Sequence, residues 1–293
     1  MSELPPPNSA PAGWYTDPYG GGRRYFDGRE WVGEPVPVTP QLAERRDAHP
    51  SLPAVAAWGA LLVLTVSLVA SKLVVDGLVG NDWPLIVYIV IASVLAYGPS
   101  IGWVVYVRRR WGEGRFRDLG WRFRWSDLGW GPLTWLVAVV TQALLALLIL
   151  LIDIPFASNI EAGGEGTDER TYIVALLVAA VIAAPLVEEI VFRGLVMRGF
   201  LSAMHPAVAI GLQGLLFGVA HVDPVRGVGN IGLALVLSGV GVVLGGAAYL
   251  FRRIGPVVLA HAILNAVALT LALTGVLDDI DSPFDAVFLL GLV

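Results

Sequence analysis

The chain contains no cysteine. That excludes disulfides, thiolate nucleophiles and cysteine-ligated zinc, and it leaves the redox compartment unread. Charge is scarce as well. Only 15% of residues are charged and 56% are hydrophobic, with a mean hydropathy of +0.71, whereas a soluble domain carries about 25% charged residues. Most of the solvent around this chain is therefore lipid. Lysine is nearly missing, with Lys72 the sole example among 19 basic residues. The GxSxG, HExxH and Walker signatures are absent, and no serine or threonine occupies an apolar setting beside a histidine, which disfavours an acyl-enzyme route. No clear internal repeat is visible, which argues against a transporter built from paired repeats. The net charge of −5 says little about partners, because the charges are segregated along the chain. Nucleic acid is not expected among them.

The first part of the chain is polar. Residues 1–12 (MSELPPPNSAPA) read as a disordered, proline-rich leader. Residues 13–33 hold Asp27-Gly28 between Arg23-Arg24-Tyr25-Phe26 and Arg29-Glu30-Trp31-Val32, a two-residue hairpin signal because both turn residues tolerate positive φ. Trp14, Tyr25, Phe26 and Trp31 are expected to close a very small aromatic core. The stretch resembles a short Trp-rich domain of unknown function found at the N-termini of actinobacterial membrane proteins. Its aromatic spacing is also similar to a WW domain, which would imply a protein partner rich in proline; a soluble hairpin without catalytic part is the preferred reading. Residues 34–53 are expected to be a linker. No apolar core precedes the first long hydrophobic run, so residues 1–53 do not read as a signal peptide.

From residue 54 onward, apolar stretches of about 20 residues recur, each long enough to cross a bilayer core as a helix. The expected spans are 54–75, 84–107, 131–152, 172–192, 207–222, 231–251 and 256–275. A final apolar run, 284–293, is too short to span and reads as interfacial, re-entrant or the start of an eighth helix. The fold class is thus all-α, a polytopic transmembrane bundle of about seven or eight helices over 54–293, preceded by a very small β-hairpin domain. Arginine placement orients it. The segment 108–124 holds seven arginines and is expected to be cytoplasmic, together with the N-terminus, Arg193, Arg198, Arg252 and Arg253. The opposite side receives Glu161, Glu165, Asp168 and Glu169, and the cluster Asp278, Asp279, Asp281 and Asp285.

Ionisable groups inside apolar spans are costly and mark functional sites by default. Glu188 and Glu189 are helix neighbours about 100° apart and face different directions. Glu189 and Arg193, four apart, share a face and suit an ion pair. Glu188 is left without a partner in its own helix, so facing a partly dehydrated cavity it is poised to accept a proton from water. Pro185, one turn earlier, opens the backbone locally. Phe217 and His221 share a face of the next span, and His261 and Asn265 share a face of the last. Each pair alone reads equally well as interhelical hydrogen bonding, and the Arg/Glu group as a snorkelling cluster. Jointly, one carboxylate, two histidines and one carboxamide on three helices make a hydrolytic set: a base, a water-orienting group and donors for an oxyanion.

At these residues the chain resembles a known family. EEIVFR (188–193), FGVAH (217–221) and HAILN (261–265) match, in order, the motifs EExxxR, FxxxH and HxxxN of the CAAX-protease and bacteriocin-processing family, also called Abi. The resemblance covers roughly 130–293. It implies a helical intramembrane endopeptidase in which Glu188 and His221 activate the attacking water. His261 and Asn265 would stabilise the oxyanion, and Glu189, Arg193 and Phe217 would support the site. The implied substrate is a membrane-associated peptide or protein. No cofactor is expected, although Glu188 with two histidines would also suit zinc. A non-catalytic membrane scaffold or immunity protein binding a peptide in the same cavity is the competing reading.

One geometric condition arises from the span lengths. If the fourth span ended at Phe192, Glu188 would lie about 6 Å from its end while His221 lay about 21 Å deep in the fifth. The two meet only if the fourth helix continues, so a helix over about 172–203 is expected.

Overall fold

The computed structural model describes residues 11–17, 22–36, 52–156 and 170–274. The leader up to residue 10, nearly all of the linker, the acidic loop at 161–169, the acidic cluster at 278–285 and the run 284–293 lie outside the described residues. The chain divides into two units, Met1–His49 and Pro50–Val293.

The first unit is a three-stranded antiparallel sheet, β1 (Gly13–Thr16), β2 (Arg23–Phe26) and β3 (Trp31–Val36), in the order β1-β2-β3. The expected hairpin is present but carries an added strand. Its connection is longer than the two residues expected, because Phe26 pairs with Trp31 and Asp27–Glu30 form a four-residue loop. Asp27 builds that loop. Its Oδ1 accepts from the amides of Arg29 and Glu30 at 2.7 Å, and its own N–H donates to the Glu30 carbonyl at 3.1 Å. Gly28 takes φ +97° between them. Tyr15, Phe26 and Trp31 form the aromatic cluster, with ring centroids 5.4–6.3 Å apart. Tyr25, expected in that core, is exposed, because adjacent strand residues point to opposite faces and Phe26 holds the inner one. The Trp14 side chain lies outside the described residues.

The amides of Glu30 and Arg29 hold the exposed Asp27 carboxyl below the usual aspartate range. A lowered folded-state pKa stabilises above the unfolded value and is lost as pH falls through the folded one. Protection of the Arg29 and Glu30 amides, followed by NMR hydrogen exchange, is thus expected to hold at neutral pH and drop only in acid. In Asp27→Ala it should be low throughout; equal protection in that variant would remove the carboxylate from the account.

Among its described residues the second unit holds seven helices longer than two turns: α1 (Ala54–Leu78), α2 (Leu85–Trp111), α3 (Asp127–Leu151), α4 (Arg170–Leu201), α5 (Pro206–Val219), α6 (Asn230–Phe251) and α7 (Gly255–Leu273). Six are long and apolar enough to cross a membrane, and α5, with 14 residues, is not. The expected span at 207–222 is corrected accordingly: the helix stops at Val219, so His221 comes after its C-terminal end instead of lying inside it. The outer surface is apolar, with Leu62, Leu73, Val94, Leu144 and Leu250 all exposed, the arrangement that lipid and not water tolerates.

Helix α4 is the hub, and it runs over 32 residues as the depths of Glu188 and His221 required. One buried cluster packs its Val191, Phe192, Leu195 and Phe200 against α1, α2 and α5. Another packs Met197 against α3, α6 and α7. Polar groups tie neighbours as expected in hydrocarbon: Ser67 Oγ donates to the Ala96 carbonyl at 2.9 Å and Trp103 Nε1 to the Ala56 carbonyl at 3.0 Å, joining α1 to α2. Helices α5 and α6 touch through glycine. A Cβ on Gly241 would lie 2.8 Å from Gly214 Cα, a spacing that real Cβ atoms do not adopt.

The start of α3 is fastened to the α6–α7 turn by one ion pair. Arg253 donates from Nε at 2.9 Å and from Nη2 at 2.5 Å to Asp127 Oδ1, and Asp127 Oδ2 accepts from the Arg124 amide at 2.9 Å. Both side chains are buried. Asp127→Ala would strand a buried guanidinium, a loss of about 3–5 kcal/mol, and should lower the melting temperature of the nanodisc-held protein. An unchanged melting curve would refute the fastening role.

Candidate active site

Two interruptions of regular geometry frame the site on α4. The helix is α-helical to Leu177, π-helical over Val178–Ala183, α-helical over Ala184–Glu189 and π-helical again over Ile190–Val196. Pro185 begins the middle segment, where its missing N–H leaves a carbonyl on the preceding turn unclaimed. Such π turns insert extra residues into the helix and rotate the turns beyond them. The two adjacent glutamates lie in the α-helical segment between them, about 100° apart. Glu189 is fully buried in the bundle, while the Glu188 side chain is 15% exposed and lines a cavity.

Glu189 is held on two sides. Its Oε1 accepts from Arg193 Nη1 at 2.8 Å and from His261 Nδ1 at 2.8 Å. Arg193 is itself fully buried. It donates from Nη2 to the Gly241 carbonyl at 3.2 Å, and its guanidinium lies 4.4 Å from the centre of the Phe217 ring. That ring stacks edge-on against Phe192 and His261. Gln213 Nε2 donates to the same Gly241 carbonyl at 2.8 Å. The close glycine contact between α5 and α6 therefore brings one backbone oxygen within reach of two side chains.

Glu188 is held on one side and open on the other. Tyr97, from α2, donates to its Oε1 at 3.0 Å. Its Oε2 is buried and has no hydrogen-bond partner among the described residues. It lies 3.9 Å from Nε2 of His221 and 3.9 Å from Nε2 of His261. The partners on the far side of each ring fix which nitrogen works. His221 Nδ1 is 2.8 Å from the Phe217 carbonyl and His261 Nδ1 is 2.8 Å from the Glu189 carboxylate. Both partners only accept, so both Nδ1 atoms carry the hydrogen. Nε2 of each ring then faces Glu188, as a lone pair in the neutral ring and as a donor in the protonated one.

Asn265 joins the same cavity, one turn after His261. Its Nδ2 donates to the Ala180 carbonyl, in the first π segment, at 2.7 Å, which occupies one of its two N–H groups. Glu188, Phe217, His221, His261 and Asn265 thus share one cavity of about 230 Å³, walled otherwise by aliphatic side chains and Gln142. Glu189 and Arg193 stand behind it. Tyr97 is the contact that sequence reasoning missed. A single tyrosine in an apolar span carries no motif, and Pro99 two residues on draws attention to helix geometry instead.

The two 3.9 Å separations are wider than the ligand spacing of a bound zinc. A tetrahedral zinc with bonds of about 2.0–2.1 Å needs its ligands about 3.4 Å apart, so both 3.9 Å separations would have to close. A water at about 2.8 Å from both atoms of a pair bridges either 3.9 Å separation as it stands. Among the described residues no group of three or more histidine, aspartate or glutamate side chains is arranged to hold a metal ion.

Residues 170–267 match the family model described as Type II CAAX prenyl endopeptidase Rce1-like. Residues 12–44 match that of a protein of unknown function, DUF2510. No curated protein and no solved structure matches the chain. The chain is therefore a multi-pass membrane protein with six long apolar helices, similar over a third of its length to the Rce1-like CAAX prenyl endopeptidases and, near its N-terminus, to DUF2510. The matched segment runs from the start of α4 into α7, narrower than the resemblance over 130–293, and it contains all seven expected site residues but neither Tyr97 nor Gln142.

The two glutamates should separate experimentally. Arg193→Ala leaves Glu189 buried and unpaired, a cost of about 3–5 kcal/mol, and should sharply lower the melting temperature. Glu188→Gln keeps the Tyr97 hydrogen bond and removes a charge, so its melting temperature should match or exceed wild type. The reverse order in a nanodisc melting series would contradict the division between a supporting and a working carboxylate.

Proposed function

We propose that the protein is an intramembrane endopeptidase that hydrolyses a peptide bond of a membrane-associated peptide or protein with a water activated by Glu188. The observation that supports this best is the unpartnered Glu188 Oε2 facing two histidine Nε2 atoms across a gap of one water. Glu188 accepts a proton from that water, with Tyr97 holding Oε1 so that Oε2 stays turned to the gap. His221 Nε2 orients the water, its ring locked by the Phe217 carbonyl. The water oxygen adds to the scissile carbonyl carbon, and the electron pair moves to the carbonyl oxygen. Glu188 then returns its proton to the leaving amine nitrogen as the carbon–nitrogen bond breaks.

His261 and Asn265 receive the oxyanion in this reading. The Glu189 carboxylate holds His261 Nδ1–H and turns Nε2 to the developing charge, to which it donates when it carries a proton. Asn265 has a second Nδ2–H beyond the one given to Ala180. The balance inside the bundle is electrostatic: a neutral substrate carbonyl becomes an anion in a site that turns hydrogen-bond donors toward it. No step requires a cofactor. The arginine-rich segment 108–124 places the N-terminus on the cytoplasmic side of the plasma membrane, so substrate would reach the cavity from that leaflet.

The test is cleavage of a quenched peptide library, some members lipid-modified, by protein in lipid nanodiscs. Wild type is expected to turn over, Glu188→Gln and His221→Ala to lose at least about 100-fold, and Tyr97→Phe to lose about 10-fold in kcat, all at unchanged melting temperature. Activity that survives a zinc chelator is expected. Equal turnover by wild type and Glu188→Gln would sink the reading in favour of a peptide-binding scaffold, and chelator-sensitive turnover would make Glu188 and the histidines metal ligands.

A further inference from the structure

Gln142 is the polar side chain of the cavity to which the proposed reaction assigns nothing. It lies midway along α3, 2% exposed, and its amide lines the same cavity as Glu188 and Asn265. Its Oε1 is buried with no hydrogen-bond partner among the described residues, and no hydrogen bond joins its Nε2 to one. Buried oxygens without a partner occur elsewhere, Gln213 Oε1 among them, but the other buried or half-buried carboxamides donate from their nitrogen. Gln213 donates to Gly241, Asn265 to Ala180 and Ser67 to Ala96. Those groups tie helices together, and Gln142 ties nothing. A buried carboxamide without a partner destabilises a fold, and in an apolar bundle the polar residues that persist line pathways or meet ligands.

The chemistry of the amide narrows the ligand. A peptide drawn into a cavity walled by Leu237, Val240, Leu264 and Ala268 loses water from its own N–H and C=O groups, which must then be satisfied by the protein. A carboxamide presents one acceptor and two donors side by side. That pattern pairs with the N–H and C=O of a single residue in an extended chain, the pairing that strand addition uses. Glu188 and the histidines are acceptors or charged groups committed to the water, and Asn265 has already given one donor away.

We propose that Gln142 is a substrate-binding residue that holds the main chain of an extended peptide beside the scissile bond, with Oε1 accepting from a backbone N–H and Nε2 donating to a backbone carbonyl. The proposal rests on the endopeptidase reading for its ligand. It makes specificity depend on backbone chemistry at one position: a proline or an N-methylated residue there lacks the N–H and is rejected, while its side chain is free to vary.

The experiment has two independent parts, both on full-length protein in nanodiscs. First, Gln142→Leu is melted against wild type. An equal or higher melting temperature is expected, because an unpartnered amide is exchanged for an apolar group; a clear fall means that Gln142 is helix glue and overturns the proposal. Second, one cleaved peptide is prepared with N-methylation at each amide in turn. Wild type is expected to lose about 10- to 100-fold in kcat/KM at one position. Gln142→Leu should lose a similar factor on the parent peptide, and its penalty for N-methylation there should shrink to under about 3-fold. A penalty unchanged by the substitution means that the amide holds only water, and overturns the proposal. Should wild type cleave nothing, the endopeptidase reading fails by itself. Anisotropy of the same peptides, fluorescein-labelled, on Glu188→Gln protein with and without Gln142→Leu then decides: the selective loss of binding of the unmethylated peptide supports the proposal, and equal binding ends it.

Discussion

A carboxylate and a guanidinium sit together where no water reaches them, and the rest of the bundle is arranged around that fact. Arg193 and Glu189 are both fully buried in a protein whose outer solvent is hydrocarbon. Neither charge is tolerable there alone. The pair persists because each member is used more than once. Glu189 Oε1 receives donors from α4 and α7, while Arg193 reaches the Gly241 carbonyl on α6 and lies against the Phe217 ring of α5. Four helices are thereby fixed to one another by two side chains. The Gly214–Gly241 contact belongs to the same constraint, since a larger residue at either place would move the carbonyl that Arg193 and Gln213 share.

The working residues inherit their positions from this pair. His261 is oriented by its bond to Glu189, and His221 by the carbonyl of Phe217, the residue whose ring lies under Arg193. A ring nitrogen whose partner is fixed has a fixed tautomer, so both Nε2 atoms are committed to the gap before any substrate arrives. The π segments on either side of residues 184–189 complete the arrangement. Between them the adjacent glutamates face different ways: Glu189 is fully buried with its Oε1 on Arg193 and His261, while Glu188 is tied at Oε1 by Tyr97 and lines the cavity.

Much of this was legible in the sequence, and the failures have physical causes. The seven motif residues gather as their spacing on three helices indicated, because intramembrane polar groups have few places to go. The length of α4 came from depth alone: Glu188 and His221 had to meet. The fifth span was overextended because Ala220 to Val222 are nearly as apolar as a helix, and hydropathy does not register that the chain turns after Val219. The hairpin loop was read two residues short, since an aspartate capping two amides builds a longer turn than Asp-Gly alone suggests. Tyr97 contributes through one hydroxyl on a helix outside the motif-bearing segment, and nothing local marks it. Gln142 did carry a signal, the one carboxamide in an apolar run from Leu133 to Leu151 whose other polar residues are Thr134, Trp135 and Thr141, but only the cavity shows what it faces.

Hydrolysis in a membrane poses a difficulty that soluble sites do not share, because the attacking water and the developing charges must be held where lipid would expel them. On the endopeptidase reading proposed above, the arrangement of α4 answers it by separating two requirements. The full charges of Arg193 and Glu189 are buried and matched, so their cost falls on folding and not on turnover. The groups that must change charge, Glu188 and the histidines, face a small cavity in which their partners are already aligned. Preorganised dipoles act more strongly there than in water, since little solvent competes for them. The same enclosure strips the substrate of its own hydration, so a site of this design needs groups that satisfy peptide N–H and C=O as well as groups that attack the bond. The unpartnered amide of Gln142 and the unpartnered oxygen of Glu188 fit the two halves of that requirement as proposed here, the one to hold the chain and the other to activate the water.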